Sequence, residues 1–198
     1  MAMAELYAIT GSLHRARFFL QGGVPYLQIR IKSEPLAPHL EEISRMAADF
    51  PATRIIINDD LDMARRAGVW GVHLGQEDLA ALDPALVRST SLKVGISTHS
   101  DDEIERALAY GPALLGFGPV FSTATKRLAY QPQGVETLRR TVDRVPVPVV
   151  AIGGIDGSNL EAVARTGVAL VAMIGYLDTV QTAAGLQALM ERLKHPAN

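Results

Sequence analysis

Residues 54–78, RIIINDDLDMARRAGVWGVHLGQED, contain the pattern that decides the fold. Two short apolar runs, at residues 54–58 and 71–75, flank a segment in which Asp60 can cap a helix that begins at Leu61. Neither run alternates regularly between apolar and polar residues, as a strand with one solvent-exposed face would. Nearly continuous apolar strands are typical of a parallel sheet covered on both faces. The stretch therefore predicts a strand-helix-strand unit.

The same unit recurs along the whole chain. Strands are predicted at residues 7–10, 26–31, 54–58, 71–75, 93–97, 114–118, 147–153 and 170–175. Helical patterns are clearest at residues 36–49, from Asp83-Pro84 onward, after a capping box at residues 100–103, and at 134–145, 158–166 and 182–194. Eight units of about 25 residues predict one α/β domain over residues 1–198, a closed (β/α)8 TIM barrel. A doubly wound open sheet is the alternative.

The composition is that of a globular protein and excludes several classes. Apolar residues make up 48% of the 198 residues, and the net charge of -2 gives no basic excess for nucleic-acid binding. The absence of cysteine excludes disulfides, thiolate zinc sites and a cysteine nucleophile. No apolar run approaches the ~18 residues of a membrane span, and the N-terminus lacks a signal-peptide pattern. We expect a cytoplasmic protein with small-molecule partners and no membrane partner; a homo-oligomer is compatible with the sequence.

Two carboxylates follow neighbouring predicted strands and are not needed as helix caps. Asp60 can cap its helix, which leaves Asp59 spare, and the helix that begins at Asp83-Pro84 leaves Asp78 spare. In a parallel barrel both would lie at the C-terminal ends of the strands, where active sites occur. Mg²⁺ commonly takes one or two carboxylates and completes its shell with water and phosphate oxygens. The pair therefore suggests a magnesium site.

Cations and hydroxyls are predicted at the same end of the barrel. Gln28, Arg30 and Lys32 alternate along the second strand, so we expect them to point into the barrel, as an anion site or else as an internal salt bridge. The stretch 119–133 is long for a loop of this fold and contains Thr123, Thr125 and Lys126. It could close over a phosphate as a lid or be an exposed polar loop.

Three further features are open to two interpretations. Gly153-Gly154 and Gly175 end the last two strands, where barrels often bind phosphate through backbone N–H groups. His99, just after Ser97, could transfer protons or only form a local hydrogen bond. His73, inside a strand, is expected to be structural.

Taken together, these motifs resemble the thiamine phosphate synthase family, which also includes the related thiazole tautomerases. The resemblance covers residues 6–177 and lies in the order and spacing of six segments. They are QIRIK at 28–32, INDD at 57–60, GVHLGQED at 71–78, GISTH at 95–99, GFGPVFSTATK at 116–126 and AIGGI at 151–155.

The resemblance implies a transferase that joins a hydroxymethylpyrimidine diphosphate to a thiazole phosphate and releases pyrophosphate, in thiamine biosynthesis. It implies Mg²⁺ on Asp59 and Asp78, and charge stabilisation by the catalytic cations Arg30, Lys32 and Lys126. The same resemblance assigns the pyrimidine diphosphate to Gln28, Arg30, Lys32, Asn58, Ser97 and Lys126, and the thiazole phosphate to Thr123, Thr125, Gly154, Ile174 and Gly175. The family is thought to pass through a pyrimidine carbocation, which needs no protein nucleophile.

Three positions depart from the family pattern. Thr10-Gly11 stands where an Asp is usual, Ile31 where a Glu is common, and Gly175 where a Ser is common. None of these changes removes an expected metal ligand or cation. Two alternative functions stay open: a thiazole tautomerase that uses His99, and a non-catalytic barrel that only binds phosphate ligands.

Overall fold

Eight parallel strands close into a barrel in the computed structural model, which describes residues 3–123 and 130–196. The strands follow chain order and β8 pairs with β1, so the open sheet is excluded. They are β1 (Glu5–Thr10), β2 (Tyr26–Ile29), β3 (Arg54–Asn58), β4 (Gly71–Leu74), β5 (Lys93–Thr98), β6 (Leu114–Phe117), β7 (Val149–Ala151) and β8 (Leu170–Met173).

Helices surround the barrel and alternate with its strands. They are α1 (Leu13–Gln21), α2 (Leu40–Asp49), α3 (Leu61–Ala67), α4 (Gln76–Ala80), α5 (Pro84–Ser89), α6 (Asp101–Leu108), α7 (Gly134–Arg144), α8 (Leu160–Ala164), α9 (Gly175–Thr179) and α10 (Ala183–Lys194). A 3₁₀ turn at Ala37–His39 precedes α2, where the sequence predicted one continuous helix. No helix in the described ranges is long and apolar enough to cross a membrane.

Several strands end earlier than the sequence predicted. β2 ends at Ile29 instead of residue 31, and β7 ends at Ala151 instead of residue 153. Apolar residues continue past these ends because the loops that follow pack on the barrel, so hydrophobicity alone does not mark where strand pairing stops. Arg30 and Lys32 therefore lie in the loop after β2, and Gly153 in the loop after β7.

Alternate residues of six strands, all except β4 and β5, contribute to two separate cores. Leu6, Ala8, Leu27 and Ile29 belong to the large cluster between strands and helices. Residues of the opposite strand faces fill the inside of the barrel, namely Tyr7, Ile9, Tyr26, Ile56, Leu114, Val150, Leu170 and Ala172. This alternation is the period-two geometry of strands, although both faces are apolar in sequence. The inner cluster supports the floor of any cavity at the barrel mouth.

An aromatic cluster packs at the N-terminal end of the barrel. The Arg54 guanidinium lies 4.7 Å from the ring centre of Tyr26 and 5.9 Å from that of Trp70. The Tyr26 and Trp70 rings meet edge to face at 5.8 Å. Such contacts are favourable and fill space. The open space is left to the opposite, C-terminal end.

Asp60 caps α3, as the sequence predicted, because its carboxylate accepts a hydrogen bond of 2.8 Å from the Met63 N–H. Replacing Asp60 by alanine is expected to lower the free energy of unfolding by about 1 kcal/mol, since that N–H loses its partner. Urea denaturation measures the change. Asp62→Ala is the matched control, because Asp62 makes only exposed pairs with Arg65 and Arg66, which contribute little. Equal stability of the two variants would contradict the assignment.

Candidate active site

A cavity of about 750 Å³ opens at the C-terminal ends of the strands. This is the end at which TIM barrels place their active sites. Nearly every residue that the sequence singled out lines it: Gln28, Arg30, Lys32, Asn58, Asp59, Asp78, Ser97, Thr123, Gly154, Ile174 and Gly175. Thr125 and Lys126 fall in residues 124–129, outside the described part of the chain.

The two spare carboxylates meet on one side of this cavity. Asp59 follows β3 at a φ of 65°, and its backbone N–H bonds to the His73 carbonyl at 2.8 Å. Its carboxylate pairs with the Lys32 ammonium. Burial raises the pKa of the Asp78 carboxyl, the Gly75 N–H lowers it, and the adjacent Asp59 carboxylate raises it, with a net rise. Two acids in such proximity could share a divalent cation.

Asp78 has a local structural role that the sequence analysis did not predict. The short helix α4 begins at Gln76, and Asp78 accepts a 2.8 Å hydrogen bond from the Gly75 N–H at its start. The prediction that Asp78 is not needed at a helix start, because the next helix begins at Asp83-Pro84, was therefore wrong. The bond uses Oδ2, and a carboxylate has further lone pairs. Asp78 is thus fixed in position and can still bind a cation.

Arg30 and Lys32 lie at the mouth of the barrel, in the loop that follows β2. Of the three alternating polar residues, Gln28 lies inside β2, and its amide donates to the Tyr7 hydroxyl at 2.9 Å. Burial raises the pKa of Tyr7, so its hydroxyl is protonated at neutral pH. Arg30 and Lys32 are less buried and line the upper wall. Lys32 pairs with Asp59 on the same side of the cavity mouth and is not part of a salt bridge inside the barrel.

His73 and Ser97 lie deeper, on neighbouring strands. His73 Nε2 is 2.9 Å from Ser97 Oγ. Burial lowers the pKa of His73 to about 4, so the ring is neutral near pH 7. Both residues line the cavity, and the Gln76 amide donates to the Ser97 carbonyl at 2.7 Å. His73 therefore contacts Ser97, a candidate binding residue. The sequence analysis expected only a structural role for His73 and did not predict this contact.

His99 lies on the other side of the opening, in a pair with Glu103. One Glu103 oxygen accepts a bond from the His99 backbone N–H at 2.7 Å and lies 2.9 Å from its Nδ1. Burial alone would raise the pKa of Glu103, but these bonds and one from the Tyr130 hydroxyl lower it. The predicted capping box is therefore only half right: Ser100 accepts from the Glu103 N–H, whereas the Glu103 carboxylate binds His99.

The two ends of the long loop after β6 are held together. The Gln133 N–H bonds to the Pro119 carbonyl at 2.8 Å, and the Gly134 N–H to the Val120 carbonyl at 3.0 Å. The Tyr130 ring stacks on His99 with ring centres 4.1 Å apart. The loop therefore begins and ends at the edge of the cavity, as expected of a segment that covers a ligand.

The Gly153-Gly154 turn packs on the start of that loop. The Val120 N–H bonds to the Ile152 carbonyl at 2.9 Å, and the Phe121 N–H to the Gly153 carbonyl at 3.0 Å. The Asn159 amide donates to the Gly154 carbonyl at 2.9 Å. Gly154 has a φ of 64°, which favours glycine. With Gly175 at the start of α9, these backbones form the wall opposite the carboxylates.

Several cavity residues were missed by the sequence analysis. Tyr7, Tyr130 and Tyr176 line the cavity directly. Glu103 lies behind it and contacts the lining residues His99 and Tyr130. Tyr7 lies in an apolar run, and the sequence alone did not show which face of that run points inward. Tyr130 is brought to His99 by the loop, and no sequence motif signals this contact.

The barrel and its polar mouth define a class: a (β/α)8 enzyme with adjacent carboxylates, cations and a glycine wall suited to phosphorylated ligands. Comparison with known proteins gives the family. Residues 6–177 match the family model described as thiamine monophosphate synthase. The chain belongs to this family, whose named members are transferases.

Individual relatives agree over most of the chain. A thiamine-phosphate synthase from Enterobacter sp. (strain 638) is 40% identical over 176 residues, 87% of this chain and 83% of that protein. One from Photorhabdus laumondii is 39% identical over 196 residues, 96% of this chain and 91% of that protein. The structure of a thiamine phosphate pyrophosphorylase from Pyrococcus furiosus superposes with a TM-score of 0.80 at 30% identity, covering 96% of both chains.

Proposed function

We propose that this chain condenses 4-amino-2-methyl-5-hydroxymethylpyrimidine diphosphate with a thiazole phosphate, and that thiamine phosphate and pyrophosphate are the products. The observation that carries the proposal is the meeting of Asp59, Asp78 and Lys32 at one side of a cavity whose opposite wall is the Gly154 turn. One side suits a metal-bound diphosphate and the other a second phosphate. Family membership supports the same pairing of substrates.

The residues present fit a magnesium ion. The mutual repulsion of the Asp59 and Asp78 carboxylates contributes to the raised pKa of Asp78, and a cation between them would relieve it. The described residues contain no cluster of three His, Asp or Glu side chains suited to a metal. Two carboxylates are nevertheless enough for Mg²⁺ when water and phosphate oxygens fill the remaining positions. When bound, the ion would supply charge neutralisation for the departing diphosphate.

The protein's own groups can assist both halves of the reaction. The carbon–oxygen bond to the diphosphate breaks and its electron pair stays on the leaving oxygen, where Arg30 and Lys32 stabilise the charge. The thiazole nitrogen then donates its lone pair to the pyrimidine methylene carbon and forms the new carbon–nitrogen bond. Ser97 and Asn58 bind the diphosphate, Gln28 the pyrimidine, and Thr123, Gly154, Ile174 and Gly175 the thiazole phosphate. Lys126 and Thr125 complete these sites.

One observation favours a second candidate reaction. His99 is oriented by Glu103 through Nδ1, which leaves its Nε2 as a possible proton acceptor. A thiazole tautomerase needs one such group to move a proton on a thiazole carboxylate phosphate. It does not need the two carboxylates or the cations Arg30 and Lys32, so the condensation accounts for more of the site.

A product assay tests the proposal. Purified protein incubated with both substrates and Mg²⁺ is expected to form thiamine phosphate and pyrophosphate, and added EDTA is expected to abolish the reaction, because the charge on the leaving diphosphate is then left without its cation. Chromatography of the mixture measures product and thiazole isomers together. A known enzyme run in parallel is the control. Isomerised thiazole without any condensation product would favour the tautomerase and overturn the main proposal.

A further inference from the structure

The His73 ring occupies space that two missing side chains leave inside the barrel. A Cβ atom at Gly95 would lie 2.6 Å from His73 Nδ1, and one at Gly116 would lie 3.4 Å from Cε1 and Nε2. Gly95 is on the adjacent strand β5 and Gly116 on the next strand, β6, so neither of these two strands has a side chain where the ring lies. The ring is therefore held between strands in one orientation, and Ser97 is its neighbour at Nε2.

The two ring nitrogens have different surroundings. Nε2 lies 2.9 Å from Ser97 Oγ, whereas Nδ1 is buried and, among the described residues, has no hydrogen-bond partner. A proton on Nδ1 would be a buried donor without an acceptor, which folded proteins rarely tolerate. A proton on Nε2 has the Ser97 oxygen as its acceptor. The geometry thus favours the Nε2–H tautomer.

The direction of this bond decides what Ser97 can offer to a ligand. Once Ser97 Oγ accepts from Nε2–H, its own hydrogen is free to point elsewhere, and Ser97 lines the cavity. We propose that His73 is a positioning residue, which donates Nε2–H to Ser97 Oγ and so presents the Ser97 hydroxyl to the cavity as a hydrogen-bond donor. Such a donor binds an acceptor on the ligand, and the bond is strongest when the acceptor is an anionic oxygen. The assignment of this oxygen to the diphosphate rests on the proposed function. The direction of the bond from His73 to Ser97 is independent of the proposed function.

The tautomer can be measured without any substrate. ¹H–¹⁵N correlation spectra of the uniformly labelled full chain report which imidazole nitrogen bears the proton, and loss of the signals in His73→Gln assigns them. We expect a protonated Nε2 and an unprotonated Nδ1. The opposite pattern, or a doubly protonated ring at neutral pH, would overturn the proposal even if the protein makes thiamine phosphate.

A double-mutant cycle tests the consequence for binding, with magnesium and inorganic pyrophosphate as the probe in calorimetry. Ser97→Ala is expected to weaken pyrophosphate binding roughly 10- to 100-fold, as for loss of a hydrogen bond to a charged group. His73→Phe keeps a ring of similar shape but has no N–H, so it is expected to lose a comparable factor. The double variant should bind no more weakly than Ser97→Ala alone, because both changes remove the same bond.

A rescue variant separates positioning from packing. The side-chain nitrogen of glutamine reaches about where Nε2 lies, so His73→Gln is expected to bind pyrophosphate within a few-fold of the parent, whereas His73→Phe does not. Circular dichroism and urea unfolding confirm that each variant is folded. Losses that multiply in the double variant, or equal losses in His73→Gln and His73→Phe, would overturn the positioning role. Because binding is measured, failure of the condensation assay would leave this result interpretable.

Discussion

Replacing Asp59 or Asp78 by asparagine is expected to lower the rate of thiamine phosphate formation by about 100-fold or more, with the fold intact. Each change removes one negative charge from the pair that would hold the cation, and metal ions contribute several kcal/mol to such reactions. Asparagine is a conservative choice at both positions. It tolerates the φ of 65° at Asp59, and its side-chain oxygen can still accept from the Gly75 N–H at Asp78. Steady-state rates at several Mg²⁺ concentrations measure the effect.

Asp62→Asn is the matched control for this experiment. Asp62 lies three residues after Asp59, and its replacement by asparagine removes the same negative charge. Its partners, however, are the exposed Arg65 and Arg66 of α3. Its rate is expected to equal that of the parent. If both active-site variants kept near-normal rates while Asp62→Asn did too, the metal assignment would be wrong.

Gly154→Ala is expected to lower kcat/KM for the thiazole phosphate by about 100-fold, mainly through a higher KM. The residue has a φ of 64°, and a Cβ there would overlap the Ser122 carbonyl oxygen and lie 2.8 Å from the Phe121 Cβ. The turn must therefore move away from the loop after β6, and so from the position in which we propose that it binds the thiazole phosphate. A misplacement of about 1 Å is enough for an effect of this order.

Gly23→Ala is the control that separates the effect of steric overlap at Gly154 from the effect of backbone strain. Gly23 has a φ of 72°, but a methyl group at this position would have no other atom within 4 Å, and the residue lies before β2, at the other end of the barrel. Both variants carry a similar conformational cost of about 1 kcal/mol. Only Gly154→Ala should lose affinity for the thiazole phosphate. Unchanged kinetics in Gly154→Ala would show that this turn does not contact the substrate.

Much of the candidate site could be predicted because each strand of a parallel barrel delivers its following residues to the same end. Counting helix caps identified Asp59: Asp60 does cap α3, so its neighbour was left for another purpose. The same count failed in part for Asp78, since a five-residue helix has too few residues to give a helical pattern. Asp78 nevertheless lies in the cavity, because its place in the chain sets which strand end it follows.

Other residues of the site could not be predicted because they depend on which face of a strand turns inward. Tyr7 and Leu6 are adjacent in one apolar run, yet Tyr7 contributes to the inner cluster and Leu6 to the outer one. His73 was predicted to be structural because it lies among apolar residues of a strand. Its contact with Ser97 and its dependence on Gly95 arise only once β4, β5 and β6 are side by side.

The sequence by itself determined the number of units, their order and the end of the barrel at which polar groups collect, because these follow from local patterns and from the parallel direction of the strands. The tertiary structure alone decided the pairing of Asp59 with Lys32, the contact of His73 Nε2 with Ser97, and the stacking of Tyr130 on His99. These contacts join residues that are 24 or more positions apart. Closure of the barrel sets their distances, and no local pattern in the chain encodes them.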